Sequence, residues 1–370
     1  MVRREAKRFP SFLERNTVVN QEKRVKKKNS DGEGFSPLAY LAFASVTFAT
    51  AVLCVCLGSV TISLSTTMRT ISLALLGKSS LLPATARSII LSVRLPRVLC
   101  VALTGASLSI CGAAMQGLLK NPLADGSTLG VSSGASLGAA ISIAFGMRLL
   151  FLPFSATVAM AMLFAFASLI LILFLAYRLD NSLSTNTIIL MGIIYSMFIS
   201  SILSLVLTFA GERVKHITFW TMGSLAGSSY KNAGILFLTL ILCFGILMLH
   251  ARELNAFAIG EDNARHIGVN VRRVRLVVLI TVSALIGVCV SIGGSIGFVG
   301  LVTPHMVRML TGPNHRRLLP ASVFGGATFL MLADLLARII LNPLELPIGV
   351  VTSFFGAMLF VYIFYKSRSL

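Results

Sequence analysis

Between Arg94 and Ala140 the chain reads RLPRVLCVALTGASLSICGAAMQGLLKNPLADGSTLGVSSGASLGAA, a run apolar enough for lipid yet interrupted in three ways. Two arginines stand at one end, the turn Lys120-Asn121-Pro122-Leu123 breaks the middle, and nearly half of the positions are Gly, Ala or Ser. In a bilayer every backbone N–H and C=O needs a partner, so such a run must be helical and its turn must be surrounded by protein or water. The small residues let neighbouring helices approach backbone to backbone. An anchor needs only Leu, Val and Ile, whereas this composition belongs to a bundle that lines a path.

The rest of the chain is of the same kind. Of its 370 residues 56% are hydrophobic and 12% charged, against about 25% charged in soluble domains, and the mean hydropathy is +0.88. The fold class this predicts is an all-α polytopic membrane protein. Apolar runs fall near residues 37–58, 94–117, 128–147, 153–176, 185–210, 233–250, 274–294, 298–310, 320–340 and 348–365, giving about ten transmembrane helices. The eighth, between Gly297 and the turn Thr311-Gly312-Pro313-Asn314, is short and must lie within the bundle or lean on neighbouring backbone. All six cysteines sit in apolar runs without paired ligand spacing and are expected to be small core residues.

The net charge of +19 raises nucleic acid as a partner, but Arg3, Arg4, Lys7, Arg8, Arg15, Lys23, Arg24 and Lys26 to Lys28 crowd directly before the first apolar run. That placement fits a disordered cytoplasmic extension, residues 1–36, that sets orientation and touches anionic membrane lipid, with no nucleic acid. Starting inside, the inner loops collect Lys120, Arg178, Arg252, Arg265, Arg272, Arg273, Arg275, Arg308, Arg316 and Arg317, and both termini are expected in the cytoplasm. Outside, Thr70 to Leu76 predicts a short interfacial helix, and Trp220 and Tyr230 fit aromatic anchors. Inside, ARELNAFAIGEDNARHIGVNVRRVR, residues 251–275, predicts a compact helix from about Asp262 to Ile267, with acids at its start and Gly268 at its stop. It is a docking element in pattern, or else a solvated loop obeying the inside-positive bias.

These segments, together with SIGFVGLVTPHMVRML and LADLLARIILNPLELPIGVVTSFFGAMLF, resemble the FecCD permeases, the transmembrane subunits of ABC importers for iron chelates, haem and cobalamin. The resemblance runs in order over residues 37–366, leaving only 1–36 outside it. It implies a permease of the cobalamin-permease type in the bacterial cytoplasmic membrane, paired with a second permease subunit as a homo- or heterodimer around a central path. It also implies ATP-binding ABC subunits on the cytoplasmic side and an extracytoplasmic substrate-binding protein. Such a subunit is not an enzyme and binds no cofactor or metal; ATP and Mg are used by the partner ATPase. The cargo it implies is an iron(III)-siderophore, with cobalamin or haem as the alternatives.

Carried onto this chain, the resemblance gives three groups of residues roles. Arg94, Arg97 and Arg338 would form outward basic pockets for acids of the binding protein, their guanidinium forks suiting carboxylates; the plainer alternative is snorkelling, or an internal Asp334–Arg338 bridge one helical turn apart. Asn121 and Leu123 fall at gate positions, as does Thr185, while Asn186 departs from the serine expected there and either could simply cap a helix. Gly260, Glu261, Asp262, Ala264, Arg265, His266 and Gly268 would couple the ATPase to the bundle.

Other classes fit less well. The stretch ending Gly77-Lys78-Ser79 has Ser72 where a phosphate loop needs its first glycine, and no nucleophile elbow or carboxylate pair is visible. An ion-coupled secondary transporter would place ionisable groups at mid-membrane, and Asp334 is the one carboxylate inside a span. His305, in Thr303-Pro304-His305, lacks nearby partner ligands and reads as structural. A faint likeness between the second span with its Asn121-Pro122 and the seventh with Thr303-Pro304 is what an inverted repeat would leave.

Overall fold

The computed structural model describes residues 37–58, 62–76, 84–148, 155–181 and 184–368. The basic extension and Gly77-Lys78-Ser79 lie outside the described residues. Among the described residues the regular structure is helical throughout: α1 (Pro37–Cys56), α2 (Leu64–Leu75), α3 (Leu95–Leu119, entered through a π-helical segment Ser88–Arg94), α4 (Val131–Ala144), α5 (Ala156–Leu179), α6 (Thr185–Phe209), α7 (Val214–Thr221), α8 (Tyr230–Leu249), α9 (Ala251–Ile259), α10 (Glu261–His266), α11 (Val271–Gly293), α12 (Val299–Thr311), α13 (His315–Ile339) and α14 (Ile348–Arg368). Among the described residues seven of these are long and apolar enough to cross a membrane, and two shorter apolar stretches, Val131–Ala144 in α4 and Ile348–Ile363 in α14, fall in two more of the expected runs; the 13-residue α12 occupies the eighth.

The helix α3 is the axis of the bundle, packed by α8, α11, α12 and α13. It runs antiparallel to α13, with Arg97 meeting Asp334 at one end and Gly117 meeting the His315 ring at the other. The end holding Gly117 and Lys120 is the one the charge bias assigns to the cytoplasm, and is called the basic end below. Glycine permits the closeness of this packing. A Cβ added at Gly105 would overlap the Gly326 carbonyl of α13, and one at Gly112 would overlap the backbone of Gly300 on α12. Between them Thr303 Oγ1 lies 2.7 Å from Ser109 Oγ, a polar contact that backbone proximity makes reachable. The pair α4 and α5 repeats the device, Gly138 facing the Met160 carbonyl.

Pro304 inside α12 explains a buried amide on α3. Proline has no N–H, so the carbonyl four residues earlier, Gly300, loses its helical donor. Gln116 Nε2 donates to Gly300 O at 3.3 Å and to Leu301 O at 3.1 Å, replacing it in a setting where an orphan carbonyl is costly. Gln116→Ala is therefore expected to destabilise the chain by about 1–3 kcal/mol. In a Pro304→Ala background, where the N–H returns, the same change should cost less; equal melting-temperature losses in both backgrounds would refute the account.

Two pairs echo one another as an inverted repeat would. A long helix is followed by a short one that starts from a left-handed residue: α3 then α4, entered at Gly130 (φ 71°), and α11 then α12, entered at Phe298 (φ 65°). The surface helix expected at Thr70–Leu76 begins earlier, at Leu64, because Ser63 caps it by accepting from Thr66 N at 3.2 Å. All six cysteines are buried and unbridged. Tyr230 is exposed as an anchor would be, but its hydroxyl donates to Leu91 O at 2.6 Å. Trp220 instead packs half-buried against the core.

Candidate functional site

The three groups of residues that the resemblance singles out are spread along the axis of the bundle, and the structure treats them differently. At the end opposite the basic one, Arg94, Arg97 and Arg338 form one cluster, but their side chains turn inward and the three residues are only 3–6% exposed. Arg97 Nε and Nη2 donate to Asp334 Oδ1 at 3.1 and 2.9 Å, and its Nη1 donates to Glu345 Oε2 at 2.8 Å. Arg338 Nε lies 3.1 Å from Asp334 Oδ2, and its other nitrogens donate to Cys54 O and Leu57 O. Arg94 Nη1 donates to Val55 O and Cys56 O, both at 2.8 Å. Two guanidiniums thus satisfy the last carbonyls of α1, where the helix dipole favours positive charge. The arginines do not open outward as basic pockets would: burial demands internal partners, which Asp334 supplies to Arg97 and Arg338 and the α1 carbonyls to Arg94.

The residues expected at the gate sit at the basic end. Lys120 ends α3 in the left-handed conformation (φ 50°), and Asn121 Oδ1 then accepts from Leu123 N at 2.9 Å. This turn, built by the asparagine side chain, leaves Leu123 half exposed at the tip. Thr185 and Asn186 open α6, Asn186 exposed and Thr185 half-buried. Neither is the cap. Ser184 holds that position, accepting from Thr187 N at 3.4 Å.

The segment expected to couple is two helices, of which α10 (Glu261–His266) lies close to the helix expected from about Asp262 to Ile267. Gly260 (φ 135°) separates α9 from α10, and Gly268 (φ 88°) stops α10; both values lie where side chains are disfavoured. Glu261 divides its carboxylate, one oxygen 2.9 Å from Arg265 Nη2 and the other 2.9 Å from Nη2 of Arg275, whose side chain is fully buried on α11. A second tie joins α9 to α13: Asn255 Nδ2 donates to Asn314 Oδ1 while Asn255 Oδ1 accepts from His315 N, each at 2.8 Å. Displacement of α9 and α10 would therefore pull on α11 and α13 together. Ala264 is fully buried against this body, whereas Asp262, Arg265, His266, Ile259 and Ile267 face out, the two isoleucines at 72% and 68% exposure. A partner would meet the isoleucines and charges, not Ala264.

Sequence reasoning missed Glu345, Gln116, Asn255 and Ser184. Ser184 alone carried a local signal, a serine directly before an apolar run; the other three act across more than 55 residues of chain.

The family profile described as the FecCD transport family matches residues 46–366. An uncharacterised ABC transporter permease of Bacillus subtilis (strain 168) is 44% identical over 76% of this chain and 80% of its own length. The cobalamin import system permease of Halobacterium salinarum is 36% identical over 76% and 74% respectively. A solved structure described as an inward-facing conformation of a metal-chelate type ABC transporter superposes with a TM-score of 0.78 at 32% identity, covering 90% of this chain and all of its own. With seven helices among the described residues long and apolar enough to cross a membrane, a small-residue axis and a helical handle at the basic end, matched from residue 46 to residue 366, the chain belongs to the FecCD transport family of ABC importer permeases.

Proposed function

We propose that this permease carries an iron(III)-siderophore into the cytoplasm, driven by ATP and Mg in a partner ATPase, with a binding protein delivering the cargo and a second permease subunit completing the path. The observation that carries the energetic part is the α9–α10 handle, tied to α11 through Glu261–Arg275 and to α13 through Asn255, with an exposed face of isoleucines and charges. Such a handle suits a motor outside this chain. Asn121 and Leu123, with Thr185 and Asn186 at the same end, would form the exit gate. The metal-chelate description of the solved relative supports the cargo, while the cobalamin permease of Halobacterium salinarum supports cobalamin as the second reading. Docking of an acidic protein at Arg97 would require Glu345, the exposed member of that cluster, to give way.

Uptake of labelled iron-siderophore, cobalamin and haem by cells with and without this gene tests the reading. Iron-siderophore uptake should require the gene, and Ile267→Asp should lower it at least tenfold while leaving the amount of permease in the membrane unchanged. Uptake that follows cobalamin alone would select the second reading, and full transport by the Ile267 variant would remove the handle from the mechanism.

A further inference from the structure

At the basic end, between the gate turn and the coupling handle, lies a cavity of about 310 Å³ lined by Gln116, Gly117, Lys120, Pro122, Ala258, Arg308, Pro313 and His315. Its charges are one-sided. Lys120 and Arg308 both line it, no acidic residue does, and among the described residues neither cation has an ion pair or side-chain hydrogen bond. Arg308 is half-buried at the last turn of α12, a location that favours a cation but leaves five donors to be satisfied. Lys120 holds a left-handed conformation (φ 50°) at the end of α3, where glycine or asparagine would be free of strain. Of the other arginines drawn into the protein, Arg275, Arg97 and Arg338 bind carboxylates and Arg94 donates to the carbonyls of Val55 and Cys56.

We propose that this cavity is a binding site for a phosphate-type oxyanion, held by the Arg308 fork and the Lys120 ammonium. A guanidinium matches the spacing of two oxygens on one tetrahedral centre, and a lysine adds a point charge. The volume equals about ten waters at roughly 30 Å³ each, room for the anion with part of its hydration. The cavity walls come from α3, the gate turn, α9 and the α12–α13 connection, so an occupant bridges the gate and the handle. The proposal uses the transport reading only for that consequence, and its test needs no transport.

The full-length permease in nanodiscs of phosphatidylcholine is titrated with inorganic phosphate by calorimetry. Saturable binding is expected, weakened at least tenfold by Lys120→Gln and by Arg308→Gln, retained by Arg308→Lys, and unchanged by Arg272→Gln, which alters an arginine stacked on Tyr177 away from the cavity. If Arg308→Gln fails to fold, Lys120→Gln at its exposed position and Arg308→Lys decide. Nanodiscs containing phosphatidylglycerol separate the sources: competition with free phosphate assigns the site to a lipid headgroup, and its absence to the free anion. Absence of saturable binding, binding by Lys120→Gln and Arg308→Gln as tight as by the parent, or loss of binding when the ATPase partner assembles, would overturn the proposal; the last result would mean that a protein side chain fills the cavity.

Discussion

Gly112→Leu is expected to leave no folded permease. Overpacking a core typically costs about 1–3 kcal/mol when side chains can rotate away, but at Gly112 the obstacle is the backbone of Gly300, on a helix that is itself held. The two axes must separate, and separation also breaks the Ser109–Thr303 contact and the Gln116 bonds to Gly300 and Leu301. Domains are stable by only about 5–15 kcal/mol, so losing these together removes most of the margin. Size-exclusion chromatography of detergent-extracted protein should show no monodisperse peak. Gly234→Leu or Gly245→Leu on α8, where an added Cβ meets nothing within 4 Å, should elute like the parent. A well-behaved Gly112→Leu protein would show that the α3–α12 approach is not what holds the axis.

That contrast between glycines explains how far the sequence could be read. Hydropathy and length located seven helices long and apolar enough to cross a membrane, with helices also at the shorter runs of α4, α12 and α14, because burial in lipid acts on each segment separately. The stripe of small residues on α3 told that helices approach there, but not which ones; Gly326 and Gly300 lie some 200 residues away, and only the assembled bundle pairs them. The coupling handle was legible as an element because its glycines and acids act locally, yet its ties through Arg275 and Asn255 were not. The exposure of Arg94, Arg97 and Arg338 was misjudged for the same reason. An arginine at a helix end has the same local pattern whether it faces a partner protein or a buried aspartate, and Asp334 and Glu345 reach the cluster only through the fold.

Asp334→Ala is the change expected to damage that cluster most. The side chain is 1% exposed and serves two arginines at once, the fork of Arg97 on one oxygen and Nε of Arg338 on the other. Removing one partner of a buried ion pair leaves an uncompensated charge and costs about 3–5 kcal/mol; here two guanidiniums lose their acid, and Arg94 stands close by. Arg338 also holds the carbonyls of Cys54 and Leu57, so its displacement would loosen the end of α1 from α13. Glu345→Gln removes the other acid, but that side chain is 37% exposed, and a pair so open to solvent is worth about 0–1 kcal/mol. Thermal unfolding in detergent should therefore rank Asp334→Ala far below Glu345→Gln, with Asp334→Asn between them because it keeps an acceptor while losing the charge. Equal melting temperatures for the three variants would mean that the arginines find water or lipid headgroups when the acid is gone, and that the cluster is more open in the membrane than its internal hydrogen bonds imply.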